Sequence, residues 1–269
     1  MTARRLRTVT AAIAAACALS TVPAAAAPAD IGTCTPAAAH RVPVVLLHGT
    51  MDDAAAWNEL APQLRSAGFC AYAPTYGVTG SLLGLGGLAP VARSATEVAE
   101  YISRVRAATG AEQVDIVGHS QGGTIAAYYA KVLGQAARVR SAILLAPVSH
   151  GTSLGGVVGL ADAVPGLRGA LDSAVLPLFC AACADLETGS AFMNALASGP
   201  IAQPGVRYAV LATRDDTVST PPGTASFIDE PGVTNLFAQE LNPAPVSHQG
   251  LPRDGAVRDW ILQQLAETP

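Results

Sequence analysis

Val114-Asp115-Ile116-Val117 runs straight into Gly118-His119-Ser120-Gln121-Gly122-Gly123, and an alanine-rich segment with two tyrosines follows to Leu133. The first run is apolar and β-branched, as strands are. The last has no proline and reads as a helix. The residues between them are small enough for two backbones to approach closely. A strand that turns at once into a helix is the repeating step of a parallel sheet. The serine in that turn raises the question of why a hydroxyl stands where the chain bends most sharply.

The same step recurs along the chain. Apolar runs at Val42–Leu47, Phe69–Ala73, Val114–Val117, Val139–Ala146, Val206–Ala212 and Val233–Phe237 predict strands. Ala54–Ala67, Ala92–Ala108, Gly122–Leu133, Leu186–Ala197 and Gly255–Leu265 predict helices. The strands are continuously apolar rather than alternating, which is expected where helices cover both faces. The fold class is therefore α/β, a doubly wound and mostly parallel sheet. The 269 residues suffice for one such domain, and no linker or repeat divides them. Residues 151–180 break the rhythm with glycines, prolines and scattered Leu and Val. That is too long for an ordinary loop and predicts a cap segment after the fourth strand.

Residues 1–27 read as a signal peptide and 28–269 as the mature domain. Arg4, Arg5 and Arg7 precede an apolar stretch, Val9–Leu19, too short to span a bilayer, and Ala24–Ala27 supplies a small-residue cleavage site. Removing three arginines and no acid leaves 13 basic side chains against 20 acidic ones, a formal charge of −7. Such a surface has no basic stripe to neutralise phosphates, which excludes nucleic acid as a partner. The mature chain keeps four cysteines, Cys34, Cys70, Cys180 and Cys183. In an exported protein an even number points to disulfides. Cys34 precedes the first strand and Cys70 begins the next, so these two are expected to pair, leaving Cys180 with Cys183. The Cys-Ala-Ala-Cys spacing also occurs in redox and zinc sites, but no second Cys/His pair lies near it.

In an open parallel sheet the ligand crevice lies beyond the carboxyl ends of the strands, so the residues that follow each strand are the candidates. Gly118-His119-Ser120-Gln121-Gly122 fits G-x-S-x-G between strand and helix, the context in which a serine is held out as a nucleophile. A serine hydroxyl needs a base. Of five histidines, His40 precedes the first strand, His48 ends it, His119 lies inside the turn with its ring expected to face away from Ser120, and His150 follows the fourth strand. His150 is expected to be structural or to line a pocket wall. Only His248 comes late enough to leave an acid before it, as the order Ser, acid, His requires. That acid should follow Val206–Ala212, where Asp215 and Asp216 are both candidates and the residues alone do not separate them. Oxyanion donors are expected at the amide of Gln121 and in the loop after the first strand, where Gly49 lets the chain turn and Thr50 presents its amide, with its hydroxyl as a second donor. Apolar residues of the cap, Leu154 and Val157 among them, are expected to line an acyl pocket.

These stretches resemble the secreted lipases of the α/β-hydrolase fold, in particular the small bacterial triacylglycerol lipases and the fungal lipase B type. The resemblance runs from about Pro43 to the C-terminus. It rests on Pro-Val-Val-Leu-Leu-His-Gly-Thr at 43–50, Gly-His-Ser-Gln-Gly-Gly at 118–123, Leu-Ala-Pro-Val-Ser-His-Gly-Thr-Ser-Leu-Gly-Gly at 145–156 and Ser-His-Gln-Gly at 247–250. It also rests on Ala-Thr-Arg-Asp-Asp-Thr-Val-Ser-Thr-Pro-Pro at 212–222, where the family's aspartate lies five residues before a proline. By match to Pro221 the resemblance places the acid at Asp216, and it makes Thr50 a donor through both amide and hydroxyl. It implies a minimal sheet of about six strands. The implied protein is a secreted, monomeric ester hydrolase acting on lipid or ester substrates, touching the lipid–water interface transiently, with no metal or organic cofactor. A cutin- or polyester-type hydrolase, a small-ester esterase and an acyltransferase share the same fold and residues. A non-catalytic binder would have no use for all three of Ser120, Asp216 and His248.

Overall fold

Six strands form one parallel sheet in a computed structural model that describes residues 31–80, 84–154 and 167–267. They are β1 (Val44–Leu47), β2 (Ala71–Tyr72), β3 (Val114–His119), β4 (Val139–Leu145), β5 (Arg207–Ala212) and β6 (Val233–Phe237), in the order β2-β1-β3-β4-β5-β6. Every neighbouring pair is parallel. The chain starts near one edge, steps outward to β2, then returns past β1 and winds steadily to the other edge.

Both faces are covered, which is why the strands read as unbroken apolar runs. On one face Val45, Leu47, Ile116 and Leu144 pack with Val98 and Ile102 of α2 (Val91–Thr109) and Ile125 of α3 (Gln121–Lys131). On the other, Val44, Leu46, Ile143 and Leu211 meet Trp57, Leu64 of α1 (Leu60–Ser66) and Trp260 and Ile261 of the C-terminal helix Gly255–Ala266. Asp115, inside β3 and fully buried, is held by the guanidinium of Arg140 on β4, whose Nε lies 2.8 Å from Oδ1.

Local signals set the helix ends. The Asp185 carboxylate accepts from the Val91 amide at 2.8 Å and caps α2, and Gly110 closes it with φ 71°. Asp254 caps the last helix through the Val257 amide. Two expected helices are shorter than their composition implies. Ala54–Ala67 divides at Asn58–Glu59 into a 3₁₀ turn and α1. The helix expected from Leu186 begins only at Ala191, because Glu187 is drawn into a bridge with Thr152 and Gly189 turns the chain with φ 82°.

Both expected disulfides are present. Cys34–Cys70 ties the segment before β1 to the start of β2 with a Cα separation of 5.8 Å, and Cys180–Cys183 closes a single turn. Among the described residues no helix is long and apolar enough to cross a membrane.

Candidate active site

β3 delivers the chain to Ser120 at φ 53°, ψ −124°. That left-handed backbone is strained for any residue with a Cβ. It persists because the residues two positions away on either side, Gly118 and Gly122, have none. A Cβ on Gly122 would lie 2.2 Å from the Leu47 carbonyl oxygen, and one on Gly118 would lie 2.5 Å from the carbonyl oxygen of Gly122. α3 starts at the next residue. The amide of Gln121, in the first turn, has no acceptor within the helix, and the positive end of the helix dipole faces the same point.

β5 and β6 bring the other two groups to the same edge. His248 and Asp216 are both buried, and Nδ1 of His248 lies 2.8 Å from Oδ2 of Asp216. The carboxylate accepts, so Nδ1 donates, and the Nε2 lone pair is left for a proton from a hydroxyl. The other oxygen of Asp216, Oδ1, accepts from the amides of Val218 and Ser219, each at 2.8 Å. The carboxylate is thereby fixed in one orientation. Asp215 points elsewhere, with Oδ2 taking bonds from Gln239 Nε2 at 2.9 Å and the Val246 amide at 3.2 Å. Of the two adjacent carboxylates, Asp216 is the one on the imidazole.

The loop after β1 is braced from behind. Nδ1–H of buried His48 donates to the Gly49 carbonyl at 2.8 Å, while its Nε2 accepts from the Tyr76 amide at 3.3 Å. Burial lowers the His48 pKa from its ordinary value, which suits a neutral ring with one donor and one acceptor used. The Tyr76 ring stacks on His48 at 4.1 Å and its hydroxyl donates to the His48 carbonyl. The Met51 amide donates to Gly86 O at 3.1 Å and the Gly86 amide to Asp52 O at 2.9 Å. The side chain of Gln121 reaches the same segment, with Nε2 donating to Gly87 O at 3.1 Å.

Ser120, His248, Gly49 and Thr50 line one cavity of about 290 Å³. Its walls are apolar where Val148, Leu154, Leu186 and Val218 stand, and Cys183 of the small disulfide ring joins them. Leu154, in the segment expected to form a cap, has φ 48° and its amide is held by the Thr152 hydroxyl at 3.0 Å. That hydroxyl also donates to Val218 O, so the chain after β4 and the loop after β5 meet at Thr152. Val157 lies outside the described residues.

The two remaining histidines near the edge behave differently from one another. His150 donates from Nε2 to Phe227 O at 2.8 Å and lines a separate open concavity with Asp229 and Phe237. His119, expected to face away from Ser120, instead shares the Ser120 cavity, with its ring 4.8 Å from that of His248. The turn at Ser120, with φ 53°, leaves both residues on one cavity. Tyr76, the Gly86-Gly87 pair, Thr152 and the Gln121 side chain escaped the sequence reading. The glycine pair was the one visible signal.

The sequence profile of the Lipase (class 2) family matches residues 41–227, from the start of β1 through the acid loop. The chain belongs to the class 2 lipase family. It is thereby a carboxylic ester hydrolase of the lipase and esterase kind. Solved lipases share its fold. Aspergillus fumigatus lipase B superposes with a TM-score of 0.66 at 17% identity, covering 84% of this chain and 52% of that one. This lipase chain therefore spans about half the length of the Aspergillus protein. The mature Bacillus licheniformis lipase BlEst2 gives 0.60 at 17% identity, covering 87% and 95%. Paleococcus ferrophilus monoacylglycerol lipase gives 0.60 at 17% identity, covering 87% and 96%. No curated protein sequence matches the chain.

Proposed function

We propose that this class 2 lipase is exported, loses residues 1–27, and works as a monomeric serine hydrolase of acylglycerol esters at or near a lipid–water interface. The observation that carries the reading is the 2.8 Å bond from His248, which lines the same cavity as Ser120, to Asp216. Ser120 Oγ attacks the ester carbonyl while His248 Nε2 takes its proton. Asp216 holds the imidazole in the required tautomer and balances the imidazolium charge. The amides of Thr50 and Gln121, with the Thr50 hydroxyl, receive the oxyanion. The imidazolium then protonates the leaving alcohol, and water repeats the sequence on the acyl-enzyme. Glycerides are favoured over acetate esters because the acyl side of the cavity is apolar. Each methylene buried there is worth up to about 0.8 kcal/mol, or about fourfold in kcat/KM.

A series of p-nitrophenyl esters from C2 to C16, assayed below and above their solubility limits, tests the substrate. The rate constant should rise with chain length beyond C2. If acetate is the best substrate, the protein is a small-ester esterase and the glyceride reading falls. A fluorophosphonate should label Ser120, and Ser120→Ala should abolish both labelling and turnover. Retention of either would remove Ser120 from the mechanism.

A further inference from the structure

His119 has no task in that chemistry, yet its position is not casual. It is 4% exposed, one residue before Ser120. Its Nε2 lies 3.0 Å from the carbonyl oxygen of His248. A carbonyl can only accept, so the proton sits on Nε2 and the tautomer is fixed. Nδ1 is then a bare lone pair, buried without a partner and turned toward Gly49, where a Cβ would stand 3.2 Å away. A proton added at Nδ1 would find no acceptor. Burial first, and then the charges of His248, Arg253 and His48, hold the His119 pKa well below the usual histidine range. The ring is therefore a neutral, one-sided donor.

The loop that carries His248 needs such a donor. Its other bonds run to the acid loop: Thr213 Oγ1 to Val246 O at 2.6 Å, the Val246 amide to Asp215, and His248 itself to Asp216. These fix the imidazole relative to the acid and leave its placement relative to the nucleophile to other contacts. His119 belongs to the nucleophile turn. We propose that His119 is a positioning residue: by giving its Nε2–H to the main-chain carbonyl of His248, it ties the loop of the base to the turn of the nucleophile. The kinetic part of this inference rests on the proposed serine mechanism, whereas the tether itself does not.

The test compares His119→Phe, which keeps a ring and deletes the donor, with His119→Gln, whose terminal amide places a donor near the same spot. His119→Met serves as a second donor-free side chain if the phenylalanine protein folds poorly. On a short p-nitrophenyl ester, the donor-free variants should lose roughly 10–100-fold in kcat, the scale of a small misplacement of a reacting group. KM should stay within about twofold, and glutamine should recover most of the rate. Equal kcat for glutamine and the donor-free variants would overturn the proposal. So would a rise in KM at constant kcat, which would make His119 part of the substrate wall. A readout free of substrate separates this from the ester mechanism. The downfield NMR resonance of the His248 Nδ1 proton should be present in wild type and His119→Gln, and should broaden through faster exchange in His119→Phe. If that resonance behaves so in a protein inert toward esters, the tether stands and the mechanism fails. If wild type hydrolyses esters and the resonance ignores His119, the tether fails alone.

Discussion

Asp216→Asn isolates the charge and donor pattern of one carboxylate with little change in shape. In the native site Oδ1 takes two amide bonds, from Val218 and Ser219 at 2.8 Å each, and Oδ2 takes the His248 Nδ1 proton. An asparagine must keep its single oxygen on the two amides, because its NH₂ cannot accept. The NH₂ then faces Nδ1, which can meet it only as an acceptor. The imidazole proton is driven to Nε2, the atom that the proposed mechanism needs empty to take the serine proton. The fold keeps both amide bonds and should melt near the wild-type temperature. The rate should fall by about 10⁴, or about 5.4 kcal/mol of transition-state stabilisation. Alanine is the poorer probe, since two buried amides would lose their acceptor at about 1–3 kcal/mol each and blur folding with catalysis. Asp215→Asn is the control. Its oxygen can keep the bonds to Gln239 and Val246, so kcat should drop less than about tenfold. The assay is kcat/KM on a p-nitrophenyl ester with thermal melts of each variant. A fully folded Asp216→Asn enzyme keeping more than about 1% of the wild-type rate, or a larger loss from Asp215→Asn, would refute the tautomer argument.

Thr50→Val keeps the amide and removes the hydroxyl. If that hydroxyl receives the oxyanion, kcat falls about 10²–10³-fold with KM nearly constant, and an unchanged kcat would leave the amide alone in the role. Cys34→Ser opens a loop spanning 36 residues and should cost about 3–4 kcal/mol in urea unfolding, whereas opening Cys180–Cys183, with a separation of 3, should cost less than half of that. Acid should destabilise the fold through His48 and His119. Both have folded pKa values below the ordinary 6.5, so the unfolded chain takes up their protons first and stability is lost as pH falls below that value. Each contributes a slope of about 1.4 kcal/mol per pH unit down to its own folded pKa. Asp115, whose carboxyl burial pushes upward against the pull of Arg140, works in the opposite sense at lower pH. Urea unfolding at pH 7, 6 and 5 reads the slope. His119→Gln should flatten it, and a stability curve level from pH 7 to 5 would contradict the assignment.

The parallel sheet was legible because its strands are buried on both faces, so their hydrophobicity shows without periodic analysis. Ser120 was legible for a related reason. The sharp turn leaves no room for a Cβ two residues to either side of the serine, at Gly118 and Gly122, so the turn carries its own signature. The choice between Asp215 and Asp216 was not available from residue type, since both follow β5. It came from the resemblance to the lipases, whose acid loop aligns through Pro221, and the geometry puts Asp216 on the imidazole. Helix ends were missed where a distant partner intervened. Glu187 pairs with Thr152, which composition near Leu186 could not announce. The side taken by the His119 ring was not legible, because it depends on the turn at Ser120, whose φ is 53°, and on the distant His248 carbonyl that the ring meets.

Apart from Thr152, the residues that escaped the sequence reading share one task. Tyr76, Gly86, Gly87 and the Gln121 side chain all lie behind the loop that bears Thr50. None supplies a nucleophile, and only Gln121 lies within a motif, G-x-S-x-G, whose pattern leaves its side chain unspecified. Their effect is mechanical. Gly87 has its carbonyl on Gln121 and its amide on the Tyr76 carbonyl at 2.8 Å. A Cβ on Gly87 would lie 2.7 Å from Gln121 Oε1 and 2.9 Å from both the Gly49 carbonyl oxygen and Thr50 Cα, with φ at +69°. Gln121 therefore offers its main-chain amide to the proposed oxyanion while its side chain locks the loop that supplies the other donors. Donors stabilise a developing charge well only if they need not reorganise when it appears. The loop that carries the Thr50 amide is braced against the start of α3, which carries the Gln121 amide, by one glutamine and one glycine, and the class of residue that can do so is set by available space. That is why the chemistry of this lipase can be read from its motifs, whereas the rigidity that chemistry depends on emerges only once the chain is folded.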